Sequence, residues 1–585
     1  MRQLIRRDPL LVIAMIAVAA LYAPTLARGI VNYDDTWLLR DNWVLQTQSW
    51  SSLHTILFDL SSPLRVTLTP EYLPVRDLSV MTDFALWGHW WGGFHLTSLV
   101  IYELSIALWF AALVAFGVDR RVAALAVLLW ALHPSHAESV AWLSERKGLL
   151  GMMFAGACAF GYARYRAGRS ARFLALAIAC GVLAVWSKAT AAFAVAALVG
   201  LELALPALRV SWRRSVTGLV AIACATGAAY VPVLILAVRW SVVAGTAAAL
   251  PASRAAMVIG VHGFYLRLAA MQLPNSVAYP ISIDGPGAVD LVLGAIGLVA
   301  LAVALAWKRT PSTVRAGAAL WLFGWLPVSH LILPLQMIFV ADRYLLTPTL
   351  GLCLAAAAGI SAISNARVRY ALVGAIAIAA ALRTLDAQTS WSSPTALWER
   401  AVASSPDDGE AWAMYLEALD ETGHHDLVPD AIALGLQRSH APRLVLHQAL
   451  LLDEAGHRTE AIAAMRDAAD GGEPRAMADL AKWLLDDGRV DEALRYARHA
   501  TETLPSYAPG QRMRGKIALA ANDLDEALGA FQNAYWLEPL PMNQLNLGVV
   551  LVALHRDAEA RGYLEPLLVD PELAPRARAL LATMH

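Results

Sequence analysis

The sequence predicts an all-α protein: a polytopic helical membrane domain followed by an α-solenoid. Three observations carry this. Mean hydropathy is +0.50, with 58% hydrophobic and only 16% charged residues across 585 positions. Up to about residue 390 the chain is a series of apolar runs of roughly 20 residues, the length that crosses a hydrocarbon core of ~30 Å. Beyond that point it is charged and rich in Ala and Leu, with no run long enough to span. The expected division is a membrane domain over 1–390 and a second domain over 391–585.

Within the first part, spans are expected at 9–27, 96–117, 122–142, 148–165, 172–190, 191–208, 216–238, 286–307, 316–335, 344–363 and 369–386. The first of these is too long for the apolar region of a signal peptide and is expected to be retained. Arg and Lys cluster in alternate connections: Arg2, Arg6 and Arg7; Arg120 and Arg121; Arg164, Arg166, Arg169 and Arg172; Arg209, Arg213 and Arg214; Lys308, Arg309 and Arg315; Arg367 and Arg369. Placing these in the cytoplasm puts the N-terminus there too. The stretch 255–273 breaks the alternation, because crossing there would put "KRTPSTVR" outside. It is expected to lie in or on the outer leaflet. The expected count is then about eleven spans, and it puts the loop 28–95 and the C-terminal domain together on the non-cytoplasmic side. The loop holds eight Trp or Tyr residues between Tyr33 and Trp91, as a membrane-skimming segment would.

The second part repeats. Units starting at 442, 474, 508 and 541 carry small residues in register: Ala449, Ala461 and Ala468; Ala481, Ala493 and Ala500; Gly515, Ala527 and Ala534; Gly548 and Ala560. A degenerate unit begins near 409 with Trp412. A period of 32 to 34 residues with small residues where paired helices meet is tetratricopeptide (TPR) spacing. Such stacks hold a protein or peptide, or serve as spacers, and binding is the favoured reading here.

Composition narrows the function. A net charge of −1 argues against a nucleic-acid partner. Cys158, Cys180, Cys224 and Cys353 all fall in apolar runs and read as packing residues, not as a disulfide or metal set.

Three polar stretches fall on the expected outer side: "VNYDDTWLLRDN" (31–42), "ALHPSHAESVAWLSERKGLLG" (131–151) and "QMIFVADRYLLTPTLGL" (336–352). Asp34 and Asp35 are adjacent, so their side chains diverge and at most one enters a given pocket; either serves as a base or as a helix cap. His133 and His136 read as hydrogen-bonded structural groups in preference to metal ligands, since no third His or Cys is spaced to join them. Glu145 and Lys147 serve a pocket or sit at headgroup level. Lys188 in "AVWSKATAA" snorkels or touches phosphate. Arg343 and Lys147 are placed to neutralise a phosphate, unless Arg343 only pairs with Asp342. Carboxylates beside cations at an interface suit a reaction in which a hydroxyl loses a proton while a lipid-linked phosphate departs.

Taken in order, "VNYDD…N", "YLPVRDLS" (72–79), "GFHLTSLVIY" (93–102), "LHPSHAESVAWLSERKGLL", "WSKATA", "LPNSVAYP" (273–280), "GWLPVSHLI" and "VADRYLLTPTLGL" resemble the membrane proteins that join a C-type glycosyltransferase core (GT-C) to TPR repeats, the transmembrane-and-TPR O-mannosyltransferase-like group. The resemblance implies a multi-span, inverting enzyme that takes sugar from a polyprenyl phosphate and has its site outside the cytoplasm. It implies Asp34 or Asp35 as catalytic base, and Glu138 as a further catalytic carboxylate. Arg146, Lys147, Arg343 and Lys188 would hold the donor phosphate. His133, His136, Tyr344, Asp342 and Arg76 would orient substrate. The chain departs from the group at Leu73, where relatives often have a basic or histidine residue, and at Gly148, where they often have aspartate. A divalent metal occurs in the superfamily, but the sequence offers no ligand set for one. The expected partners are a polyprenyl-phosphate sugar, the lipid bilayer, and a protein or glycan acceptor held by the TPR domain. The alternatives are a non-catalytic TPR membrane scaffold, and a lipid-linked glycan ligase or flippase. An Ala-rich composition and the lack of any Asn-x-Ser/Thr sequon favour a bacterial inner membrane, with the TPR domain periplasmic.

Overall fold

Helices make up the regular structure: among the described residues there is no strand. The structure is a computed structural model, and it describes residues 8–61, 64–69, 71–205, 212–239, 254–271, 273–279, 285–332 and 339–584. Arg2, Arg6, Arg7, Arg209, Gln272, Pro280, the span ends 206–208 and 333–335, and residues 336–338 lie outside the described residues.

Two compact units divide the chain. The first runs from Met1 to Leu60 and from Leu68 to Ser405. Each expected span contains a helix. Pro9–Ala27, Trp91–Ala115, Trp212–Val238, Ala288–Ala306 and Ala366–Ser392 are long and apolar enough to cross a bilayer. Arg172–Ser187, Ala191–Ala204 and Pro348–Ser361 are shorter apolar helices. The remaining expected spans are met by Arg120–Ala131, Arg146–Arg166 and Ser312–Trp325.

Two expected spans differ in form. The segment 122–142 is not one helix. Its helix stops at Ala131, because Pro134 cannot continue the hydrogen-bond ladder, and a short helix His136–Ala141 comes after the turn. The expected span 344–363 begins with a 3-10 turn, Asp342–Leu345, and its helix starts at Pro348. Both breaks place charged residues on irregular backbone at one end of the bundle.

The stretch expected to skim the outer leaflet is a helix with a packed face. Arg254–Ala269 is a bundle helix laid along Ala288–Ala306, with Met257, Val261, Phe264, Tyr265 and Leu268 buried. Gly263 and Gly294 make the crossing: a Cβ on Gly263 would stand 1.9 Å from the Asp290 carbonyl oxygen, and one on Gly294 1.8 Å from that of Ile259. Small residues let helix backbones approach this closely in an apolar medium. Arg267 Nη1 pairs with Asp290 Oδ1 at 2.8 Å across the same contact.

The second unit comprises Ser61–Thr67 and Pro406–His585. Its helices pair as Gly409–Glu421 with Val428–Leu436, Pro442–Glu454 with Arg458–Asp470, Pro474–Asp486 with Val490–Thr503, Ala508–Ala520 with Leu524–Leu537, and Pro541–Ala553 with Asp557–Leu564. The first helix of each pair starts where the sequence repeat starts. Ala449, Ala461, Ala468, Ala481, Ala493, Ala500, Ala527, Ala534 and Ala560 have no exposed surface, since each sits where two helices touch. Stacking buries faces that one pair could not bury alone.

Candidate functional site

The first-loop aspartates part company as adjacency requires. Asp35 turns inward. Its Oδ1 accepts from the Ser144 backbone N–H at 3.0 Å and the Ser144 hydroxyl at 2.5 Å, and its Oδ2 accepts from the Val31 N–H at 3.3 Å. Burial pushes its carboxyl up to about 7, against the pull of those three hydrogen bonds. Asp35 therefore ties the first loop to the "WLSERKG" turn. Asp34 stays half-buried and receives a hydrogen bond from Trp37. Burial raises its carboxyl above the ordinary aspartate range, while the positive charges of Lys147 and then Arg343 act in the opposite sense. Of the pair, Asp34 has the open side.

Around Tyr33 lies an aromatic wall. The Tyr33 ring stacks on Trp142 at 4.8 Å, and Trp142 stacks in turn on Trp391 at 5.5 Å. Trp398 closes the edge, its indole N–H donating to Asn32 Oδ1 at 2.8 Å. The Arg343 guanidinium lies over Trp142 at 5.4 Å and over Tyr344 at 5.1 Å from the ring centres.

Arg343 is aimed by two carboxylates. Glu138, with 1% of its surface exposed, accepts from the Arg343 backbone N–H at 2.7 Å and from its guanidinium. Asp342 points the other way, accepting from Asn275 Nδ2 at 2.8 Å and from the Tyr279 hydroxyl at 2.5 Å. The Asp342 carboxylate and the Arg343 guanidinium are thus held by two separate anchors, in place of the ion pair that was the alternative for Arg343. Asp342 is thus fully engaged in holding the turn.

A cleft opens beside Arg343. Lys188, Thr190, Arg343, Tyr344 and Thr347 supply polar groups to it, while Gly148 and Gly151 leave its wall low. Lys188 caps the Arg172–Ser187 helix in an extended conformation, which turns its ammonium to Glu145. Lys147 pairs with Glu71 at 3.1 Å. Four charged neighbours, Glu71–Lys147 and Glu145–Lys188, thus line up beside the Glu138–Arg343 pair.

Other residues singled out in the sequence do not face this cleft. Arg146 is 1% exposed and leaves the helix on a different side from Lys147, since consecutive helical residues are about 100° apart around the axis. It is paired with Asp83 at 2.5 Å, bonded to the Phe94 carbonyl at 2.7 Å and near Ser98 and Ser79, so its donors are spent in the core. Arg76 is likewise buried, donating to Asp77 at 2.6 Å and to the Leu68 carbonyl at 2.7 Å. His133 bonds Ser135 at 2.7 Å and the Ala269 carbonyl at 2.9 Å; His136 bonds the Tyr102 hydroxyl at 2.7 Å and Thr349 at 3.0 Å. Both imidazoles use both ring nitrogens on the protein, so they hold the turn and have no atom left for substrate. Asn275 and Tyr279 come from "LPNSVAYP" and Trp142 and Ser144 from "HAESVAWLSERKG", while Glu71 stands one residue before "YLPVRDLS" with no signal of its own. Among the described residues no group of three His, Cys, Asp or Glu side chains converges as a metal-ligand set.

No family model matches the chain, and no curated protein matches it. Among solved structures it is similar to the oligosaccharyltransferase of Archaeoglobus fulgidus in its apo form, with 15% identity, 70% of this chain and 59% of that chain covered, and a TM-score of 0.37. The chain thus spans about three-fifths of the length of that enzyme. It is also similar to PilW, a type IV pilus biogenesis factor, with 17% identity, 32% and 89% coverage and a TM-score of 0.27. YrrB, a TPR protein with an unusual peptide-binding site, matches at 17% identity, with 31% and 97% coverage and a TM-score of 0.26. At such scores these likenesses carry no argument about activity, which has to come from the chain's own residues.

Proposed function

We propose that this protein is a membrane glycosyltransferase that moves a sugar from a polyprenyl-phosphate donor to a hydroxyl of a protein or glycan. The observation that carries this is the pairing of roles around Arg343. A half-buried carboxylate with an open side, Asp34, lies within electrostatic reach of Lys147 and Arg343. The cleft beside them is lined by two cations and three hydroxyls.

In this reading the acceptor hydroxyl attacks the anomeric carbon of the sugar, and a new C–O bond forms there. The bond from that carbon to the phosphate oxygen breaks, and its electron pair leaves with the polyprenyl phosphate. The hydroxyl proton passes to the Asp34 carboxylate, so attack from the side opposite the leaving group inverts the centre. Lys188 and Arg343 receive the phosphate charge as it develops, which is where preorganised cations lower a barrier most. Glu138 keeps Arg343 aimed, and Glu145 does the same for Lys188. Both are positioning residues. The Tyr33–Trp142–Trp391 stack offers a flat apolar wall suited to a sugar face.

The motif resemblance from "VNYDD" to "ADRYLLTPTLGL" supports the same assignment. With it comes the location: a bacterial inner membrane, with Asp34 and the TPR unit both on the periplasmic side. Mass spectrometry of envelope glycoproteins and glycolipids, with and without this chain, tests the proposal. Loss of one defined glycan in the deletion, restored by the wild type and not by Asp34→Asn, is the expected result. Identical glycan profiles in all three strains would remove it.

A further inference from the structure

The first unit carries a second group of cations, for which sugar transfer has no use. Between Glu145 and Asp284 the sole carboxylate in the sequence is Glu202, against thirteen Lys and Arg. Glu202 is already engaged, accepting from Arg166 Nη1 at 2.5 Å and from the Tyr162 hydroxyl at 2.9 Å. Arg164, Arg169, Arg172 and Arg213 make no ion pair among the described residues.

Two of these charges share one ring. Arg164, at the end of the helix Arg146–Arg166, lies over Phe173 at 5.6 Å from its centre and over Phe160 at 6.0 Å. Arg172, the first residue of the next helix, lies over the same Phe173 at 5.3 Å. The ring attracts each guanidinium, yet two like charges around it repel one another, and no anion of the chain stands between them. The Nε of Arg164 is also buried with no hydrogen-bond partner. A buried N–H in that state costs free energy that an acceptor placed there recovers. Arg214 comes in from a third helix, its Nε donating to the Tyr165 carbonyl at 2.8 Å and its other end to the Arg169 carbonyl. It thereby covers the negative carbonyl end of the first helix, which would otherwise repel an anion.

Position narrows the ligand. Arg172 begins the helix that Lys188 caps, so this place and the cleft lie about 24 Å apart along its axis. Arg213 follows Trp212, which is 72% exposed at the start of a helix long and apolar enough to cross a bilayer. Tryptophan at such an end sits among lipid headgroups. One turn on from Arg172 is the exposed Leu176, and one turn on from Trp212 is the exposed Val216. Guanidiniums at headgroup level beside exposed aliphatic side chains match a phosphate that carries acyl chains. A free phosphate has nothing to lay on Leu176.

We propose that Arg164 and Arg172, around Phe173, form a binding site for the phosphate of an anionic phospholipid. Arg169 and Arg213 add charge at its rim, and an acyl chain lies along Leu176. The site is at the far end of the bundle from Lys188 and stands independently of sugar transfer.

The test is native mass spectrometry of the full chain in detergent, titrated with phosphatidylglycerol. The wild type is expected to hold this lipid at least about tenfold more tightly than phosphatidylcholine, whose headgroup has no net charge. Arg164→Gln with Arg172→Gln is expected to weaken phosphatidylglycerol at least about tenfold. Arg172 is exposed, so Arg172→Gln alone spares the fold and is expected to weaken it about fivefold. Lys308→Gln with Arg309→Gln removes the same charge from another connection and is expected to bind as the wild type does. Inorganic phosphate in excess is expected not to displace the lipid. Equal weakening by the two double variants would mean attraction to diffuse charge, and overturns the proposal. So does full displacement by inorganic phosphate, an Arg172→Gln protein that binds like the wild type, or a wild type that holds both lipids alike.

Discussion

Replacing Glu138 with glutamine separates what holds the site together from what the site does. Glu138 is 1% exposed, and its two oxygens serve the backbone N–H and the guanidinium of Arg343, itself 8% exposed. Glutamine keeps the shape and one acceptor. Its amide N–H then faces one of the Arg343 donors, and the guanidinium is left in the core without its countercharge. Breaking a buried ion pair from one side costs about 3–5 kcal/mol. The Trp142 and Tyr344 rings recover a fraction of this through their faces, about 0.5–2 kcal/mol. The net loss is about 2–4 kcal/mol. The assay is equilibrium unfolding in detergent, run beside sugar transfer from a polyprenyl-phosphate donor. The double variant Glu138→Gln with Arg343→Met removes both charges and is expected to recover at least about 1 kcal/mol of that loss. It should show no transfer. A single variant that loses less than about 1 kcal/mol, or a double variant less stable than the single, would refute the claim that Glu138 acts by holding Arg343.

Further outcomes are expected at the neighbouring residues. Asp34→Asn should lower the transfer rate about 10²–10⁴-fold, the range for a lost general base, with the unfolding midpoint unchanged. Asp35→Asn should instead cost about 1.5–3 kcal/mol of stability, because its new N–H opposes the Val31 donor 3.3 Å away. The transfer rate should rise with pH through a limb above the ordinary aspartate range: burial holds the Asp34 proton on more tightly, and only the ionised form accepts the acceptor's proton. A kcat/KM profile flat from pH 4 to 8 would contradict this. Asp35 gives a second pH signature. Its native carboxyl, up at about 7, binds protons that the unfolded chain has released, so the stability it lends is full below about pH 4 and is lost as pH rises through 7. Gly148→Ala would set a Cβ 2.5 Å from Glu145 Oε1, the partner of Lys188, and should raise the donor KM about tenfold while changing kcat less.

The repeat half of the fold was legible because its signal is local. Each unit needs small residues at fixed offsets for its own two helices to touch, and starts at 442, 474, 508 and 541 coincide with helix starts at Pro442, Pro474, Ala508 and Pro541. The membrane half was legible in its helices and less so in their ends. Hydropathy runs straight through 122–142, whereas the chain breaks at Pro134 and makes the turn that carries Glu138. Hydropathy also could not distinguish a helix on a leaflet from one within a bundle. The glycines at which this helix meets Ala288–Ala306, Gly263 and Gly294, lie 31 positions apart and matter only because they meet.

In the site, the divergence of Asp34 and Asp35 followed from their adjacency alone. Which of them turns inward did not, because the partner that draws Asp35 in is Ser144, from another part of the chain. Arg146 and Lys147 look interchangeable in sequence. Their roles split because Asp83, Ser98 and the Phe94 carbonyl meet only Arg146, while Glu71 meets only Lys147. Asp342 beside Arg343 suggested an ion pair, yet Asn275 and Tyr279 claim the carboxylate from a distant segment. Long-range partners of this kind leave no spacing rule to read.

The most direct measurement is transfer by the purified chain in nanodiscs, with radiolabelled sugar on polyprenyl phosphate and an envelope extract as acceptor. Label should move to the acceptor with one polyprenyl phosphate released for each sugar moved, and both should be lost in Asp34→Asn and in Lys188→Met. Transfer that continues undiminished in Asp34→Asn, or a wild type that releases no polyprenyl phosphate across a panel of hexose donors, would contradict the assignment.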